Sequence, residues 1–147
     1  MDLRKGGALK RGRCIFFYSI TYKDPSHKGF ITADSFAHQH KLREFKCPEG
    51  LRTIYGYVFY GCGMLKHVEF NERLDTIRAS AFAHTNIDSI VLPNSVRYLG
   101  HNAFGDNTSL KYVRLNEGLT CVEHDAFSYT AIDSIVIPQS VEYLNGF

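Results

Sequence analysis

Apolar residues return at a fixed interval along most of this 147-residue chain. Phe36, Phe59, Phe82, Phe104 and Phe127 stand 23, 23, 22 and 23 residues apart. Five or six places after each comes Leu42, Leu65, Ile87, Leu110 or Ile132. Further apolar columns follow three, five, nine and twelve places later. They begin at Phe45, Cys47, Leu51 and Ile54 and end at Ile135, Ile137, Val141 and Leu144. Cys47 is the one column member that is not large and apolar, and a buried Cys behaves as a small hydrophobe. A unit of this length cannot bury its own apolar face, whereas stacked units can.

The period lies in the range of leucine-rich repeats, and Ile87-x-x-Ile90-x-Leu92 or Leu110-x-x-Val113-x-Leu115 reads as their L-x-x-L-x-L segment. Its alternating end predicts a short strand, and Pro48, Pro93 and Pro138 suit strand exits because proline donates nothing to a ladder. Two kinds of coil alternate. SIVLPNSVRYL at Ser89 returns as SIVIPQSVEYL at Ser134, two coils and 45 residues on. The second kind contains LKHVEFNERL and LKYVRLNEGL. Coils of the first kind lose one residue after Phe in FAHTNI and FSYTAI.

AFAHTNIDSIVLPNSVRYLGHNAF and the Phe-x-Gly-Cys loop in FYGCGML resemble BspA-like leucine-rich repeats, related to the Treponema-type repeats. The likeness covers residues 31–147. It implies a right-handed leucine-rich-repeat solenoid, with a short parallel β-sheet on its concave face and irregular or short helical turns on its convex side. The family is best known from bacterial surface and secreted proteins and from protist surface proteins that adhere to host proteins or cells.

On this reading residues 1–13 are a basic flexible tail and residues 14–35 a degenerate capping coil. Residues 36–147 form about five coils, the last incomplete. In the cap, a strand from Ile15 to Tyr22 puts Tyr22 in the place of Phe45 and Ile31 in that of Ile54. The final coil stops before an Ala-Phe pair. Ser134 to Pro138 is therefore expected to be an open parallel edge, covered by a longer array or by an end-to-end homodimer, with Phe147 as a partial lid.

Net charge is +2, but residues 1–30 carry +5, which leaves the body at −3. Nucleic acid is therefore an unexpected partner. No apolar run reaches the length of a membrane span. CIFFYSI is short for a leader and no small-residue cleavage site follows it. The resemblance points to the cell surface, and the lack of a visible leader leaves the cytoplasm open. Cys14, Cys47, Cys62 and Cys121 form no C-x-x-C pair and read as reduced thiols.

Chemistry is sparse. There is no phosphate loop and no nucleophile elbow, so no enzyme activity, catalytic residue or cofactor is expected. Asn107-Thr108-Ser109 spells a glycosylation sequon in a loop. His101 and His124 share one position in successive coils and could share a metal; exposed neighbours on the convex side is the reading adopted, and no metal is expected. Arg52, Asp75, Arg97, Thr120 and Glu142 alternate in sign at another shared position and read as stacking pairs.

Alternation along the strands sends Glu44, His67, Ser89, Tyr112 and Ser134 outward in one row, and Lys46, Glu69, Val91, Arg114 and Val136 in the next. Glu44, Lys46, His67, Glu69, Tyr112 and Arg114 are the candidate partner-binding residues, since Tyr and Arg are frequent hot spots. The chain is therefore read as a non-catalytic protein-binding module. The alternatives are a self-associating segment of a larger surface protein and an intracellular inhibitor of a protein.

Overall fold

A computed structural model describes residues 19–21, 30–31 and 34–146, the first five by backbone alone. The constant spacings of the sequence become a three-sided solenoid, in which every strand pairing is parallel. The first side holds three-residue strands: β1 (Ser19–Thr21), β3 (Glu44–Lys46), β5 (His67–Glu69), β7 (Ser89–Val91) and β9 (Tyr112–Arg114). The second holds two-residue strands: β2 (Phe30–Ile31), β4 (Thr53–Ile54), β6 (Thr76–Ile77), β8 (Tyr98–Leu99), β10 (Cys121–Val122) and β11 (Tyr143–Leu144). No helix occurs among the described residues, so the third side is built of turns alone.

That third side has a strict rule. The residues two before and two after each Phe take left-handed backbone: Asp34, Tyr57, Ser80, Asn102 and Asp125 before, and His38, Gly61, His84, Asp106 and Tyr129 after. Asp, Asn and His tolerate this region better than most side chains, and no β-branched residue stands there. Between them the Phe points inward. The five rings stack face to face, with centroids 5.4, 5.0, 5.3 and 5.7 Å apart. The turns are also joined by backbone bonds such as Phe59 N to the Ala81 carbonyl (2.8 Å) and Phe82 N to the Ala103 carbonyl (2.9 Å).

Small polar side chains close the carbonyls that this stacking buries. Three places after Phe, Cys62 donates to the Phe36 carbonyl (3.0 Å), and Thr85 and Thr130 donate to the carbonyls of Phe82 and Phe127. Asn107, wholly buried, donates to the carbonyls of Phe82 and Phe104 at 2.8 Å each. The sequon asparagine is thus a core bracket, and its amide nitrogen is committed. At the strand exits the two kinds of coil use different brackets. Asn71 and Asn116 reach the carbonyls of Leu51 and Val96, while Ser95 and Ser140 reach those of Leu74 and Leu119.

Three expectations need correction. Ile20, not Tyr22, lies opposite Phe45, although Ile31 does face Ile54. The first coil therefore holds two more residues between its strands than the next one does. Residues 134–138 form no strand. Among the described residues the segment has no ladder to β9. The sign-alternating row is not an ion-pair ladder: Arg97 donates to the Asn94 carbonyl (2.7 Å), and Asp75 accepts from Thr76 (2.8 Å). The expected basic tail and the Phe147 lid lie outside the described residues.

Candidate functional site on the strand face

On the first side alternate residues point out and the residue between them points in. Phe45 and Ile90 are buried, while Glu44, Lys46, Ser89 and Val91 are exposed. Register brings Glu44 beside His67 and Lys46 beside Glu69. It also brings Ser89 beside Tyr112 and Val91 beside Arg114. It does not unite the six candidate residues, because β5 and β7 are not paired and the sheet is split into β1-β3-β5 and β7-β9.

The two parts differ in chemistry. On β3 and β5, Lys46 and Glu69 form a 2.7 Å ion pair with both side chains more than half exposed. Such a pair contributes little to stability and largely cancels its own field. On β7 and β9 the outward side chains are Val91, Tyr112 and Arg114, apolar, aromatic and cationic, together with the small polar Ser89; Tyr112 is 55% exposed. Val136, 85% exposed, extends the apolar row beyond β9. Between the two parts, Lys66 lies 3.4 Å from Asp88. Partial burial would raise the Asp88 carboxyl, but hydrogen bonds from Ser89 and Lys66, with the Lys66 charge, hold it below its usual value. The sequence pattern placed Tyr112 and Arg114 correctly on this face; it did not reveal that they stand apart from Glu44, Lys46, His67 and Glu69.

Two of the cysteines belong to the core. Burial pushes Cys47 and Cys62 up to about 11, against opposing hydrogen bonds, so both stay protonated at neutral pH.

On the turn side the sequence reading missed one residue. The His101 and His124 rings lie with centroids 4.2 Å apart, tilted by 32°, and Asp125 joins them. Asp125 could have been noticed as the residue directly after the second His, at a position where the coil reverses. Beside the group, Tyr98 donates to Glu123 at 2.7 Å. Burial, with Glu123 adding to it, pushes the Tyr98 hydroxyl up to about 12. The same hydrogen bond, helped by that from the His101 amide, holds Glu123 below its usual value although burial opposes it.

The profile of the BspA-type leucine-rich repeat region matches residues 29–146 in six copies. No curated protein matches the chain in sequence. Among solved structures, the pneumococcal vaccine antigen PcpA is 23% identical with a TM-score of 0.65, over 88% of this chain and 30% of its own. A leucine-rich cell surface protein from Faecalibacterium prausnitzii is 25% identical with a TM-score of 0.54, over 71% of this chain and 35% of its own. The chain thus spans about a third of each of these two relatives.

Proposed function

Because the chain belongs to the BspA-type leucine-rich repeat family, whose repeat domains generally serve protein interaction or the cell surface, we propose that it is a non-catalytic protein-binding module acting through its strand face. The observation that carries this reading is the outward row of β7 and β9, where Tyr112 and Val91 are held exposed on a paired sheet beside Arg114. Large exposed side chains on rigid strands bind with little loss of conformational freedom, and Tyr and Arg lead the residues that dominate interfaces. Glu44, Lys46, His67 and Glu69 form the charged flank and tune orientation more than affinity. A protein surface is the fitting partner class. The cell-surface description of the Faecalibacterium relative supports an extracellular setting, and the fraction of each relative that is spanned supports a segment of a larger surface protein.

The test is surface plasmon resonance of the chain against a panel of extracellular proteins. For any partner found, Tyr112→Ala with Arg114→Ala lowers affinity about 30-fold, or roughly 2 kcal/mol, with an unchanged melting temperature. Unaltered affinity in the double variant refutes the strand face as the site.

A further inference from the structure

We propose that His101, His124 and Asp125 bind one divalent transition-metal ion, Zn²⁺ being the best fit, at the turn edge of the solenoid. The repeat itself brings the ligands together. His101 and His124 stand at one position in successive coils, where the coils before them carry Gly56 and Ala79 and residue 146 is glycine. The coils are tied there by Asn102 N to the His124 carbonyl at 3.1 Å. That carbonyl also lies 3.1 Å from His101 Nδ1; with Nδ1 protonated it holds the first ring and leaves Nε2 as the metal-binding nitrogen. The backbones that carry the two imidazoles therefore stay one coil apart as long as the stack holds.

The carboxylate is equally constrained. Asp125 has φ of 59°, the left-handed turn that every coil makes at this position. This leaves its Oδ2 4.0 Å from His101 Nδ1. Its Oδ1 accepts a 2.8 Å bond from Ser128, the kind of outer-shell contact that orients a ligating carboxylate. One ligand atom from each residue lies within 4.8 Å of the others. An ion bound at about 2.0–2.2 Å from nitrogen and oxygen requires only modest side-chain rotation to draw these atoms in.

The donor set selects the metal. Two imidazoles and one carboxylate suit Zn²⁺, Ni²⁺, Cu²⁺ or Fe²⁺, whereas Ca²⁺ and Mg²⁺ need mainly oxygen. Glu123 adds negative charge beside the site. It is bound to the Tyr98 hydroxyl and the His101 amide (3.0 Å), so it acts through its field and not as a fourth ligand. The His101 and Asp125 side chains are 42% and 51% exposed, which leaves room for water or a partner's side chain to complete the shell.

The experiment is isothermal titration of the whole chain with ZnCl₂, paired with visible absorption on Co²⁺ loading. One equivalent per chain is expected, together with a Zn²⁺-dependent rise in melting temperature. His101→Ala and His124→Ala each abolish that equivalent, and Asp125→Asn weakens it at least tenfold. The control His38→Ala with His40→Ala, which removes a separate exposed histidine pair, leaves it intact. These side chains lie at the surface, so melting without metal verifies that each variant folds. No binding at sub-millimolar Zn²⁺, or binding that survives His124→Ala, overturns the proposal.

Discussion

The first and second sides of the solenoid are made by the same coils, yet one sheet is broken and the other is continuous. Six two-residue strands run without interruption from β2 to β11, whereas the three-residue strands stop pairing between β5 and β7. Coil length explains the difference. From the first Leu or Ile to the second side is always twelve residues, and from there to Phe always five. Only the loop from Phe to the next Leu or Ile varies, in the order six, six, five, six, five. Each joint into a short loop lacks a ladder, both β5 to β7 and β9 to residues 134–136. Joints into six-residue loops begin with Lys66 N to the Arg43 carbonyl or Lys111 N to that of Asp88. Joints into short loops begin earlier, by two places at the donor and one at the acceptor, with Asn86 N to Leu65 or Ala131 N to Leu110, and no ladder follows. The missing residue is thus absorbed on the side directly downstream, and the next side is back in register. The binding surface proposed above is therefore two small platforms and not one continuous sheet.

Where hydrogen bonds are missing, packing must hold the coils together. Phe82 lies at the unpaired joint, stacked between Phe59 and Phe104 and touching the edge of Phe70 at the exit of β5. Phe82→Ala should cost about 3–5 kcal/mol in denaturant unfolding. It should cost more than Phe104→Ala, whose joint from β7 to β9 also has a ladder. Equal losses would mean that the missing ladder has no energetic consequence.

The continuous side should tolerate the least added bulk. A Cβ on Gly100, directly after β8, would lie 2.6 Å from the Ala79 amide nitrogen and 2.8 Å from the Arg78 carbonyl carbon, both backbone atoms of the preceding coil. Gly100→Ala should lower stability by about 1–3 kcal/mol. Gly50→Ala, in the turn that follows β3, meets nothing within 4 Å and should change it by less than about 0.5 kcal/mol. Thermal melts of the two variants give the contrast; similar losses would remove the distinction.

Much of this architecture was legible because apolar columns and strand alternation are written directly in residue type. Phe36 to Phe127, the inward Ile and Leu columns, and the outward Tyr112 and Arg114 all follow from spacing. The paired left-handed residues around each Phe were not legible, because Asp, Tyr, Ser, His and Asn share a tolerated backbone and not a polarity. Asn107 spelled a sequon because its neighbours are polar, and only burial distinguishes a bracket from an acceptor site. Arg97 found turn carbonyls closer than Asp75, a choice made by rotamers and not by sequence order. Asp125 was hidden because its partners come from both its own coil and the previous one.

The central claim is that one missing loop residue breaks the strand-face ladder. Inserting a single Gly between Thr85 and Asn86 gives that loop the six-residue length of its neighbours, and amide hydrogen exchange resolved along the chain reads the result. In the unmodified chain, the amides of β5 and β7 that face each other should exchange faster than those of β6 and β8. After insertion they should slow by about tenfold or more as a β5–β7 ladder forms. Equal protection on the two sides before insertion, or no slowing after it in a folded variant, would contradict the account.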